Sequence, residues 1–262
     1  MSGELSYCGQ LVREQDADRF LLAQFAYAEH REALYALFAF NHEIAKTREV
    51  VSETRLGLIR LQWWRDAIAE IFEGETVREH RVVEALAEVV RVYDLEREPF
   101  DSLIYAREFD LEDVLPSDLE GFLNYAAYTH SPLMDLVTCV LDAGNDPVQP
   151  IAVNYALIGI LRATLSFAKQ RRCYLPQDLL TERGVYLNQL YDLKLQDGLP
   201  TVIEAVADSF VEGVQCENRF LKAMNRLSIL YYKQLKRCGY DVFHPRMVLP
   251  PAFKEIRLFL NW

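Results

Sequence analysis

Four cations gather within eleven residues of this chain: Arg162, Lys169, Arg171 and Arg172, with Tyr174 close behind. Guanidinium and ammonium groups so placed could grip a phosphate through charge-assisted hydrogen bonds, or they could be a solvated turn. Chemistry on a diphosphate would ask for more. Pyrophosphate leaves with several negative charges, Mg²⁺ bridges its oxygens, and one or two carboxylates hold each metal ion. Carboxylates four residues apart share a helical face, so two such helices could clamp a metal–diphosphate cluster. Elsewhere His42-Glu43 begins like a zinc-binding H-E-x-x-H, but Lys46 occupies the position of the second histidine, which removes that reading. The remaining histidines are scattered and are read as structural or surface groups. Asp16, Asp18 and Arg19 read as a helix start with a local ion pair. Trp63 and Trp64 are adjacent on a helix and so point about 100° apart, which predicts one in the core and one partly exposed. An exposed member could anchor a partner.

Two tracts carry a family resemblance. Gly159-Ile160-Leu161-Arg162-Ala163-Thr164-Leu165-Ser166-Phe167, followed by Arg171-Arg172-Cys173-Tyr174-Leu175-Pro176, resembles the second signature of the squalene/phytoene synthases. That signature reads N-x-x-R-D-x-x-E-D and then R-x-Y-L-P. The arginine and the tail are kept, while the family acids fall at Ala163, Ser166 and Phe167. The helix from Tyr35 to Glu49 resembles the first signature, Y-A-F-C-R-x-x-D-D-x-x-D; aligned on Ala39-Phe40, its acids fall at Ala45, Lys46 and Glu49. A lysine ammonium in place of a metal-binding carboxylate reverses the local charge. Shorter matches follow in order: Asp16-x-Asp18-Arg19-Phe20, Leu61-Gln62-Trp63-Trp64-Arg65 and Asp241-x-Phe243-His244-Pro245.

The resemblance covers roughly residues 10 to 262. It extends to the non-catalytic branch that includes a mitochondrial assembly factor of respiratory complex I. It implies an all-α, single-domain isoprenoid-synthase bundle around a central cavity over residues 1–262, with residues 1–9 a candidate for disorder. It implies a pseudoenzyme with no catalytic residues, no metal and no cofactor. A complex I subunit or assembly intermediate would be the partner, with an isoprenoid or lipid as a ligand class. Arg162, Lys169, Arg171, Arg172, Tyr174, Trp63 and Trp64 are the candidates for anion, pocket or partner binding. The alternative is an active prenyltransferase that recruits Mg²⁺ through other acids.

Composition fits a packed globule: half the 262 residues are hydrophobic and a quarter are charged. A net charge of −11 argues against nucleic acid as the main partner. Five widely spaced cysteines without C-x-x-C predict reduced thiols rather than a disulfide framework or zinc site. The most apolar tract, Ile151 to Ala168, is interrupted by Asn154 and Arg162 and followed by Lys169, which argues against a membrane span. Acids at Glu4, Glu14, Asp16 and Asp18 do not suit a presequence. The chain as it stands is therefore expected in the compartment of its synthesis; the resemblance implies the cytoplasm, peripheral at the inner membrane, in a bacterium, or the matrix side for a processed mitochondrial protein.

The elements that must hold these residues read as helices throughout. Leu34, Leu37 and Phe38, then Leu58, Leu61, Ile68 and Phe72, then Val83, Leu86, Val90 and Tyr93 recur at helical spacing. Breaks are expected at Gly74, Pro99, Pro116, Pro132, Pro147, Pro176, Pro200 and Pro245. Ser117-x-x-Glu120 and Thr201-x-x-Glu204 predict capping boxes.

Overall fold

The structure is a computed structural model that describes residues 4–51, 53–74, 76–112, 114–144 and 146–260. Among these residues every regular element is helical, as the periodicity predicts. The α-helices are α1 (Tyr7–Gln15), α2 (Ala17–Ala23), α3 (Arg31–Ala45), α4 (Thr47–Val50), α5 (Thr54–Glu73), α6 (Arg81–Tyr93) and α7 (Glu98–Ala106). They continue as α8 (Leu119–Leu141), α9 (Val148–Lys169), α10 (Gln177–Glu182), α11 (Leu187–Tyr191), α12 (Leu199–Ala207), α13 (Arg219–Arg237) and α14 (Lys254–Phe259). Of the nine residues suggested for disorder, Met1–Gly3 lie outside the described set, and Tyr7–Gly9 form the first turn of α1. There Ser6 accepts a hydrogen bond from Gly9 N at 3.0 Å.

Two compact units make up the chain. Unit 1 comprises Met1–Glu112, Tyr128–Val148 and Glu217–Phe220. Its centre is α3, which packs on α1, α2 and α6, while α5 packs on α6 and α7. Leu34, Leu37, Phe38, Phe40 and Ile44 of α3 are buried together with the residues between Ala33 and Asn41, so the helix is covered nearly all round, as a central helix must be. Phe40 meets Trp64 and Phe100 edge to face, each at 5.5 Å. Leu58 departs from its expected core place and is exposed, since Leu61, Trp64 and Ile68 already define the inward face of α5. Gly74 ends α5 in the left-handed conformation, with φ 72°, that glycine adopts at no steric cost.

Unit 2 comprises Asp113–Ala127, Gln149–Cys216 and Leu221–Trp262. Helix α9 has the length and composition of a membrane span, but just over half of its apolar window is buried within the protein, as in a core helix. Asn154 ties it to the segment after α12: its side chain donates to Val211 O at 2.8 Å and accepts from Val211 N at 2.9 Å.

Three local expectations are corrected. Pro132 does not end a helix but lies inside α8, which therefore lacks the backbone donor of that position. The cap of α8 is Asp118, not Ser117, because the Asp118 carboxylate accepts from Gly121 N at 2.8 Å. Thr201 is no cap either; α12 starts at Leu199, and the Thr201 hydroxyl donates to Gly198 O at 2.7 Å from inside its first turn.

Candidate functional site

The first tract ends α3. Ala45 is its last residue, Lys46 its C-cap, and Glu49 lies exposed on α4. Lys46 does not project free charge. Its Nζ lies 2.6 Å from Glu43 Oε1, and Arg60 Nη2 of α5 lies 2.7 Å from Glu43 Oε2. Glu43 is buried, so one desolvated carboxylate is held between two partly exposed cations. The sequence offered half of this in the three-residue spacing of Glu43 and Lys46. Arg60, on another helix, gave no local signal. Burial, and then Lys46, holds the neighbouring His42 imidazole below its ordinary pKa.

A second polar group lies deeper in unit 1. Asp16 accepts from Arg19 N at 2.9 Å and pairs with Arg19 Nη1 at 3.1 Å, which is the expected helix start and ion pair. Arg19 Nη2 also reaches His130 Nε2 at 3.2 Å. A guanidinium only donates, so Nε2 must accept; the proton then sits on Nδ1, facing Thr129 Oγ1 at 3.2 Å. His130 keeps some accessible surface, yet both its nitrogens are engaged within the protein. Burial, with Arg19 and Arg107 behind it, holds its pKa well below 6.5. Arg107 is itself buried between Asn41 Oδ1 at 3.3 Å and Asp110 Oδ2 at 3.5 Å.

The tryptophan pair divides as its spacing predicts. Trp64 is 1% exposed and belongs to the core, so any surface role falls to Trp63. Arg78 covers the Trp63 ring at 4.7 Å, donates to its carbonyl at 3.0 Å and pairs with Glu70. An open groove of about 480 Å³ runs between α1, α3 and α6 with Glu29, Glu32, Glu84 and Glu88 along it, and none of the candidate residues lines it.

In unit 2 the second tract occupies the last three turns of α9 and the loop after it. Arg162 lays its guanidinium on Tyr231 of α13, 3.2 Å from the ring centroid. Ala163 and Phe167 are half-buried and Ser166 is exposed. The Phe167 ring stands edge-on to Tyr174 at 4.7 Å, and Tyr174 stacks on Tyr125 at 5.0 Å. Arg172 donates to the Tyr174 hydroxyl and lies over both rings. Arg171 closes α9 with φ 56°, passing its N–H to Ala168 O while Arg172 N reaches Phe167 O, both at 2.9 Å. Arg171 then extends over Tyr191 at 5.3 Å, and Lys169 is exposed. The basic turn is thus organised around aromatic faces. Tyr231 and Tyr125 complete it from other elements and carried no motif that would have marked them.

All five cysteines are free. Burial raises Cys8 to about 12 and Cys173 to about 11, so both stay thiols at neutral pH. Among the described residues, no three or more His, Cys, Asp and Glu side chains come together as a metal-holding group.

Comparison with known proteins gives this geometry a lineage. The chain is 27% identical over 275 residues to "NADH dehydrogenase (ubiquinone) complex I, assembly factor 6" of Bos taurus, covering 99% of this chain and 82% of that protein. In structure it is similar to a squalene synthase from Alicyclobacillus acidocaldarius, with a TM-score of 0.74, 19% identity, and coverage of 89% of this chain and 93% of that one. A dehydrosqualene synthase gives a TM-score of 0.76 at 17% identity, covering 96% of this chain and 92% of that one. These likenesses place the fold among the isoprenoid synthases. The squalene/phytoene synthase model matches residues 12–252, nearly the whole length, and the chain belongs to that family.

Proposed function

We propose that this protein is a non-catalytic member of its family that serves the assembly of respiratory complex I, on the matrix side of the inner membrane in a mitochondrion or its cytoplasmic face in a bacterium. The observation that carries the reading is the similarity, over 99% of this chain and 82% of the relative, to a complex I assembly factor. The residues agree with it. The family implies Mg²⁺, but the six positions aligned with its acids are a poor donor set. Ala45, Ala163 and Phe167 offer no side-chain oxygen, Lys46 is a cation committed to Glu43, and Ser166 offers only a neutral hydroxyl. Glu49 is the one carboxylate, and one carboxylate does not hold a metal–diphosphate cluster. What remains is a binding protein, with a complex I subunit or assembly intermediate as partner and an isoprenoid or lipid as the ligand class.

Deletion in the source organism tests this. Loss of the protein is expected to lower assembled complex I and NADH–quinone reductase activity while leaving carotenoids, hopanoids and sterols unchanged. Complementation with Trp63→Ala or Arg171→Ala should restore less than the wild-type gene does. The pair Ala163→Asp and Phe167→Asp should bring no improvement. Normal complex I with altered isoprenoids in the deletion strain would hand the function to the prenyltransferase alternative.

A further inference from the structure

The segment after α13 exposes more large apolar side chains than a water-facing surface needs. Val248, Leu249, Phe253, Ile256, Phe259 and Leu260 are between 47% and 76% exposed, six within thirteen residues. Single exposed hydrophobes are ordinary; a run of this density marks a surface that meets something. The chain does not leave them free to turn inward. Met247, Lys254 and Leu258 are buried and fix the segment between them. Gln234 of α13 donates to the carbonyls of both Arg246 and Leu249, the latter at 2.9 Å. Phe253 sits before α14 with φ 56°, a left-handed conformation that a bulky L-residue rarely adopts, and its ring stays out in solvent. Ile256 and Leu260 then lie four residues apart on the face of α14 opposite the buried Lys254 and Leu258, and Phe253 stands exposed just ahead of the helix.

Charge indicates what covers this face. Residues 233–260 hold six cationic side chains and two acidic ones, in a chain whose net charge is −11. Lys233, Lys236 and Arg237 are exposed on the last turns of α13, the helix to which Gln234 ties the segment, and Arg246 is exposed at the segment's start. A Phe/Ile/Leu face flanked by Lys and Arg has the composition that enters the headgroup boundary of a bilayer. The acidic remainder of the protein would be repelled there, which favours an approach that turns this face to the bilayer. We propose that residues 246–260, with the cationic end of α13, form a docking surface for an anionic lipid bilayer. The inference stands on this surface alone and does not depend on the assembly reading.

Flotation of the purified full chain with vesicles tests it. The probes are phosphatidylcholine alone and phosphatidylcholine with about one quarter phosphatidylglycerol. The wild type should float with the anionic vesicles and much less with the neutral ones. The double variant Phe253→Ser and Ile256→Ser should lower partitioning by about tenfold or more, since it removes two inserted side chains. Arg246→Glu should lower binding to anionic vesicles by about fivefold or more and leave the weak neutral binding unchanged. These side chains are exposed, so the variants should keep the wild-type thermal midpoint. Absence of flotation, or equal flotation of wild type and double variant, would overturn the proposal. So would a dimer in light scattering that Phe253→Ser converts to monomer, because the face would then belong to a second copy of the chain.

Discussion

Replacing Glu43 with alanine is expected to destabilise the protein by about 3 kcal/mol, the low end of the cost of breaking a buried ion pair. Glu43 bridges Lys46 and Arg60, at 2.6 and 2.7 Å, and its removal leaves both cations without that shared carboxylate. The low end applies because Lys46 and Arg60 keep 27% and 31% of their side-chain surface, so water can resolvate part of their charge. Urea unfolding at unchanged slope measures the loss. Lys46→Asp is expected to act in the same direction, since it puts a second carboxylate beside a buried one. A loss well under 1 kcal/mol for Glu43→Ala would mean that the triad is ornamental and that Lys46 has no structural reason to stand where the family has an acid.

The second large effect is acid sensitivity. His130 has its pKa held well below 6.5 by burial and by Arg19 and Arg107. His42 is lowered by burial and Lys46, and His80 by burial, with Arg60 and Lys46 adding to it against Glu43. The folded state therefore keeps these rings neutral where the unfolded chain protonates them. Stability is fully present above pH 6.5 and falls as the pH drops below it, by up to about 1.4 kcal/mol per pH unit for each such group. The loss continues until the folded-state pKa is reached. His130→Gln keeps an acceptor for Arg19 and does not titrate, so its stability should fall less steeply between pH 6.5 and 5. Parallel curves for the two proteins would show that His130 titrates normally and that its contact with Arg19 is not made.

What the sequence disclosed and what it hid divide along chain separation. Helical periodicity, the Asp16–Arg19 start and the inward–outward split of Trp63 and Trp64 are local, set by spacing within one or two turns, and the structure repeats them. Capping boxes are local too, but they turn on a single residue. At α8 the helix starts at Leu119, which puts Asp118 rather than Ser117 in the capping position, and at α12 the helix has begun before Thr201 can cap it. The contacts that define the candidate site are distant. Glu43 finds Arg60 seventeen residues on, Arg107 finds Asn41 across sixty-six, and Arg19 finds His130 across 111. No window of sequence contains such pairs. The substitutions at Lys46 and Phe167 were visible as departures from a motif, but their new occupations, an ion triad and an aromatic cluster, needed coordinates.

Incubation of the purified protein with farnesyl and geranylgeranyl diphosphates and Mg²⁺ or Mn²⁺, followed for pyrophosphate release, tests the central claim most directly. With Lys46 committed to Glu43 and Phe167 packed against Tyr174, the expected result is no metal-dependent release above a no-protein control. Metal-dependent pyrophosphate release accompanied by a thirty- or forty-carbon product would contradict the account and make this chain a working synthase.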